Sequence, residues 1–215
     1  VTEKPPVFNL EKIKKLKPRR AKRGAVLMII AILLLIGGVF YWQKTQKEIK
    51  GSPEDYMIIE TEKGKFVENK KAGLTVKVPE GWETKRMGIK EGSIVTYTSD
   101  IEGRKQNETV VPPLTKGCGI DVSVVYKKMN FDEIKNEIKA IHWGLNIKSE
   151  EFEEITINNY QALKDTFDSE VLGSVIAVYI PSKNKLYDFD FYWAPDEKEK
   201  CIQEFNDFLE TISIQ

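Results

Sequence analysis

Nineteen consecutive residues, Gly24 to Trp42 (GAVLMIIAILLLIGGVFYW), carry no charge and no strongly polar side chain. A run of this kind excludes most ways of folding in water. As a helix rising 1.5 Å per residue it is about 28 Å long, the thickness of a bilayer's hydrocarbon core. A helix also satisfies its own backbone polar groups, which hydrocarbon demands of a lone spanning segment. Eleven of the residues are Leu, Ile, Val or Phe, and their transfer favours insertion by several kcal/mol, at about −0.3 to −0.6 each. Phe40, Tyr41 and Trp42 close the run with rings suited to the headgroup layer. A buried core helix of a soluble protein would need apolar partners on every side, and residues 1–23 offer none.

Residues 1–23 contain nine Lys/Arg against two acids, and Lys17, Arg19, Arg20, Lys22 and Arg23 stand directly before the apolar run. Basic flanks stay in the cytoplasm, so the expected arrangement is an inner amino terminus and an outer carboxyl domain. A cleavable signal peptide would have a shorter apolar core and a small-residue cleavage site. Here the core runs into Val-Phe-Tyr-Trp, which fits an uncleaved anchor better. The expected organisation is a basic cytoplasmic tail (1–23), a transmembrane helix (24–42), a polar linker (43–54) and an extracytoplasmic domain (55–215). The protein would then be a single-pass component of the cell membrane, with the lipid bilayer as its first partner.

The whole chain has zero net charge, but the basic tail hides an excess of seven acidic charges downstream. An acidic domain is a poor nucleic-acid binder, since phosphate contacts need a positive face. Cys118 and Cys201 both fall in the outer part. An oxidising compartment allows them a disulfide, and two free thiols are the alternative, with Cys201 as a small hydrophobe on a helix face. Neither a CxxC spacing nor a Cys/His cluster is present, so neither a metal nor another cofactor is expected.

From residue 56 the hydrophobic pattern has period two. Strands are expected at 56–61, 65–68, 74–78, 93–99, 120–127, 153–157, 161–167, 171–180 and 185–193, split by Gly, Pro and Asn turns. The run VLGSVIAVYI is apolar on both faces and reads as a covered central strand. Residues 100–119, with Pro112-Pro113 and the sequon Asn107-Glu108-Thr109, read as a long contact-making loop. A helix is expected over 131–143, capped by Asn130 with Glu133 at the capping-box position. A second runs from 196 to 212 and buries Cys201, Phe205, Phe208, Leu209 and Ile212. Helices set among antiparallel strands make an α+β fold.

Few residues in the chain suggest chemistry. His142, the only histidine, closes the first helix and reads as a surface residue rather than a general base. Asp188 and Asp190 alternate with Tyr187, Phe189, Phe191 and Trp193, which puts both carboxylates on one face of a strand. Acid/base work or a hard cation would suit such a pair. A solvated or lysine-paired face opposite an aromatic core is the simpler reading. Glu150, Glu151, Glu153 and Glu154 read as a hydrated run before a strand. Trp82 and Trp193 read as core, and Trp143 as part of an exposed contact patch.

The segment Phe66-Val67-Glu68-Asn69-Lys70-Lys71-Ala72-Gly73-Leu74-Thr75-Val76-Lys77-Val78-Pro79-Glu80-Gly81-Trp82 resembles the opening hairpin of the PsbP-like domain family, known from an extrinsic photosystem II subunit and from bacterial exported proteins. Ile157-Asn158-Asn159-Tyr160-Gln161-Ala162 is similar to that family's turn before its late strands, and the strand Leu186–Trp193 with the closing helix fits as well. The resemblance spans roughly 55–215. It implies a central, mostly antiparallel sheet flanked by helices, and non-enzymatic accessory or binding roles. The anchor in place of a lumenal transit sequence means that no photosystem role follows.

These readings converge on a membrane-anchored binding or accessory domain that supports a protein partner in a membrane or envelope complex. Two other classes compete with it. One is a surface hydrolase using acidic residues. The other is a pilin-like filament subunit, but Ile29 stands where a pilin's glutamate would follow a cleavage after Gly24.

Overall fold

The computed structural model describes residues 51–86, 92–106, 109–145, 147 and 151–215. The basic flank Lys17, Arg19, Arg20, Lys22 and Arg23, the apolar run 24–42 and linker residues 43–50 lie outside these described residues, as do Asn107 and Glu150. Among the described residues no helix is long and apolar enough to cross a membrane.

The chain first lays down β1 (Met57–Thr61), β2 (Gly64–Asn69), β3 (Leu74–Lys77), β4 (Trp82–Arg86) and β5 (Ser93–Thr98). Next come β6 (Glu102–Gln106), β7 (Thr109–Lys116), β8 (Cys118–Val125) and helix α1 (Phe131–Gly144). It continues through β9 (Glu151–Ile157), β10 (Tyr160–Ser169), β11 (Gly173–Ser182) and β12 (Lys185–Trp193). Helix α2 (Lys198–Glu210) and the short β13 (Ser213–Ile214) end it. The fold is α+β with antiparallel pairing in every sheet. A central seven-stranded sheet has the order β4-β5-β8-β12-β11-β10-β9, a four-stranded sheet has the order β1-β2-β3-β13, and β6-β7 form a separate hairpin.

Period two divides the central sheet into two faces. Phe189, Phe191 and Trp193 of β12 point to one side, where they meet the four-stranded sheet and α2 in the largest apolar cluster. Phe191 stacks between Phe205 at 4.4 Å and Trp193 at 5.1 Å. Rings of this size, buried on both sides, each contribute about 1.5–3 kcal/mol from area alone. On the opposite side α1 and the β6-β7 hairpin lie over two smaller clusters. Leu163 and Leu186 meet Met129, Ile134 and Ile138 in one, and Val95 and Phe167 meet Leu114 in the other.

Helix α1 starts as its sequence requires. The Asn130 side chain accepts from the Glu133 amide at 2.9 Å, and the Glu133 carboxylate accepts from the Asn130 amide at the same distance. The carboxyl end of α2 is closed from outside. Asn158, in the left-handed region at φ 46°, donates its amide to the carbonyl oxygens of Glu210 at 2.6 Å and Ile212 at 3.2 Å. Tyr160 donates to the Ile214 carbonyl at 2.8 Å and accepts from its amide at 3.0 Å. The turn 157–162 therefore holds the chain's last residues in place.

Several readings change. Residues 102–106 and 109–116 are not parts of a long loop but pair as strands β6 and β7. Two prolines fit there because both strands of a two-stranded sheet are edges, with amide positions that need no ladder partner. Edge strand β4 breaks the apolar alternation, because charged Glu83, Lys85 and Arg86 follow Trp82. The strand expected at 153–157 extends back to Glu151, so Glu151, Glu153 and Glu154 all lie within β9, where Glu153 meets Lys164 at 3.0 Å and Glu154 meets Lys135 at 3.0 Å.

Candidate functional site

A concavity lies where the four-stranded sheet, the β3–β4 connection and α2 converge. Pro79-Glu80-Gly81-Trp82 make a tight turn: the Trp82 amide donates to the Pro79 carbonyl at 3.2 Å, and Gly81 has φ 78°. That is the second central position of a type II turn, which favours glycine. The turn delivers Trp82 edge-on to α2, where its Nε1 donates to Glu204 Oε2 at 2.8 Å. At the other end of the same connection the Lys77 amide donates to Thr211 Oγ1 at 3.0 Å. The connection and the helix therefore run side by side in opposite directions, tied at both ends.

The cleft above these ties has a volume of about 910 Å³. Val78 and Phe208 are buried in its floor. Lys63, Lys65 and Lys77 stand on the sheet side, and Glu204 and Asp207 on the helix side. Lys65 is half-buried and donates from Nζ to the Trp82 carbonyl at 3.1 Å. The helical wall is held to the central sheet covalently, because Cys118 of β8 and Cys201 of α2 form a disulfide with Cα atoms 5.9 Å apart. Phe205, Phe208 and Leu209 continue the buried stripe of the same helix. Lacking a side-chain cap, α2 is preceded by Glu197, whose carboxylate accepts from the Gly117 amide at 2.9 Å.

Asp188 and Asp190 share a face opposite the aromatics, as period two demands, but that face is covered rather than solvated. Asp188 is 6 % exposed and accepts from Ser123 Oγ at 3.3 Å. Asp190 lies directly across from Asp121 of β8, itself buried. Beyond Ala177 the same row reaches Asp165 of β10. His142 is not on the surface: it is 2 % exposed, and its Nε2 lies 3.0 Å from Asp165 Oδ2. The imidazole is flanked by Phe167 at 4.6 Å and Phe152 at 6.5 Å between ring centres.

Tyr192 ends this polar strip. Its ring lies over Gly119, where a Cβ would meet Cε2 at 2.5 Å. Its hydroxyl is buried and has no hydrogen-bond partner among the described residues. Burial, then the charges of Asp121 and Asp190, push its phenol well above the ordinary value. Ser123 faces Asp188 while His142 faces Asp165, so serine and histidine sit in two separate pairs. Among the described residues no group of three or more His, Cys, Asp or Glu side chains is placed to hold a metal ion.

Trp82 and Trp193 are buried, and Trp143 is 88 % exposed beside the exposed Ile141. Asp121 and Asp165 did not stand out in the sequence. The second had a readable signal: Leu163 and Phe167 flank it at two-residue spacing, so a strand that buries them also buries Asp165. The cleft had none, because its walls are more than 120 residues apart in the chain.

No family model matches this sequence, and no curated protein matches it. Among solved structures it is similar to the cyanobacterial PsbP of Synechocystis, at 11 % identity and a TM-score of 0.46, over 74 % of this chain and 92 % of that one. A Bacteroides thetaiotaomicron protein gives 15 % identity and a TM-score of 0.41, over 66 % of this chain and 45 % of that one. A Pseudomonas aeruginosa protein of unknown function, described as a candidate regulator, gives 7 % identity and a TM-score of 0.41, over 74 % and 97 %.

Proposed function

We propose that the chain is a single-pass membrane-anchored protein whose residues 55–215 form an extracytoplasmic binding module, serving a membrane or envelope complex through recognition rather than catalysis. The observation that carries this reading is the Cys118–Cys201 bridge. A disulfide persists in an oxidising compartment, and this one pins the helix that walls the cleft. The apolar run 24–42, its basic flank and the acidic excess of the remainder support the same sidedness.

The test uses the full chain in intact cells. A membrane-impermeant amine reagent is expected to label the lysines of the carboxyl domain without lysis. The chain should stay in the membrane pellet at alkaline pH, and Cys118 and Cys201 should resist alkylation until a reductant is added. Labelling only after lysis, release at alkaline pH, or thiols that alkylate at once would overturn the reading.

A further inference from the structure

The cleft between the sheet lysines and α2 has features that select its ligand. Five carboxylates (Glu62, Glu80, Glu83, Glu204 and Asp207) and three lysines line it. A phosphate-rich or otherwise polyanionic ligand meets more repulsion than attraction there, and a wholly apolar one would strip water from charges without replacing their partners. A ligand carrying both signs meets complementary charge on each wall: Lys63 and Lys77 on one side, Glu204 and Asp207 on the other. Between them Val78, Phe208 and Trp82 provide an apolar floor.

Length narrows the class further. The ties Trp82–Glu204 and Lys77–Thr211 mark the two ends of the trough. The helix between Glu204 and Thr211 rises about 10 Å, the span of roughly three extended residues. The cleft's 910 Å³ lies in the upper part of the range of about 300–1,000 Å³ that takes ligands of this size. We infer that the cleft binds a short extended peptide segment of about three residues, with an acidic group toward Lys63 and Lys77 and a basic group toward Asp207. This rests on the binding reading above and gives it a ligand class. The disulfide then acts on recognition, since it helps to hold α2, and with it Glu204 and Asp207, against β8.

The experiment titrates the full chain, in lipid nanodiscs, with acetyl-Glu-Ala-Lys-amide by calorimetry. Acetyl-tri-alanine-amide and inorganic phosphate serve as the comparison ligands. Saturable binding of the charged peptide with Kd below about 1 mM is expected, at least fivefold tighter than the alanine peptide. Lys77→Ala and Asp207→Ala should each weaken it fivefold or more. Both side chains are exposed, and unchanged melting temperatures show that the variants fold.

An absence of saturable binding overturns the inference. So does equal binding of the alanine peptide, or affinity that ignores Asp207. Phosphate binding as tightly as the peptide and depending on Lys77 alone would make the cleft an anion site and also overturn it. The surface-labelling experiment needs no ligand, so a failed titration leaves the location of the domain standing or falling on its own.

Discussion

On one face of the seven-stranded sheet, Phe189, Phe191 and Trp193 of β12 meet Phe205 and Phe208 of α2 beneath a disulfide. On the other, the same strand presents Asp188, Asp190 and Tyr192 to the space beneath α1 and the β6-β7 hairpin. One residue of register separates an aromatic core from a covered strip of carboxylates, one imidazole and a phenol. The aromatic face draws its cohesion from area and a covalent staple, which tolerate small shifts. The polar face depends on pairs whose partners must stay where they are, because a buried charge without its partner costs several kcal/mol. Buried area and a covalent bond thus carry the stability of the α2 side, and matched polar pairs that of the α1 side.

Replacing Cys118 and Cys201 together by Ala should have the largest effect. The bridge closes a loop of 83 residues, worth roughly 4–5 kcal/mol on the loop-entropy reckoning. Urea unfolding of oxidised and variant chains reads it, and a loss below 1 kcal/mol would mean that the aromatic stack alone secures α2. Asp165→Ala should cost about 1–3 kcal/mol by taking from the buried His142 imidazole the carboxylate it faces. Replacing Asp165 and His142 together by Leu should recover most of that loss. If the double variant is as unstable as the single one, the pair is not the source of the loss.

Alkaline pH probes both faces at once. Burial holds the phenols of Tyr56, on the α2 side, and Tyr192, on the α1 side, protonated above their ordinary value of 10.0. Above pH 10 the unfolded chain loses these protons while the native chain retains them. Stability is therefore intact below that pH and falls above it, by up to about 1.4 kcal/mol per pH unit for each phenol. Tyr192→Phe should flatten the alkaline slope by one tyrosine's share and change stability at pH 7 by less than about 1 kcal/mol. An unchanged slope in unfolding titrations between pH 9 and 11 would show that the phenol ionises in the native state. Trp143→Ser should have the smallest effect, within about 0.5 kcal/mol, because the ring is 88 % exposed. A larger loss in a thermal melt would place that ring in a contact within the fold.

The parts legible in the sequence are those that obey a local period. Strand β12 has the expected bounds, and the capping box at Asn130 and Glu133 announced α1. The alternation that separated Asp188 and Asp190 from the aromatics was correct about the face. It could not show what covers that face, since a strand's own pattern carries no information about α1 or the hairpin. The hairpin itself was hidden by Pro112 and Pro113, which argue for a loop everywhere except at a sheet edge. His142 met Asp165 from 23 positions away across a helix–sheet contact, and the cleft joins Trp82 to Glu204 across 122. Such encounters are set by tertiary packing, and no window of neighbouring residues contains them.

The bare backbone at Gly119 has a consequence for how this chain can drift. With the Tyr192 ring seated where any side chain at 119 would have to stand, the two positions form a lock that only a paired change can open. A homologue with alanine or serine at 119 should carry a smaller residue than tyrosine at 192, and one that keeps the tyrosine should keep the glycine.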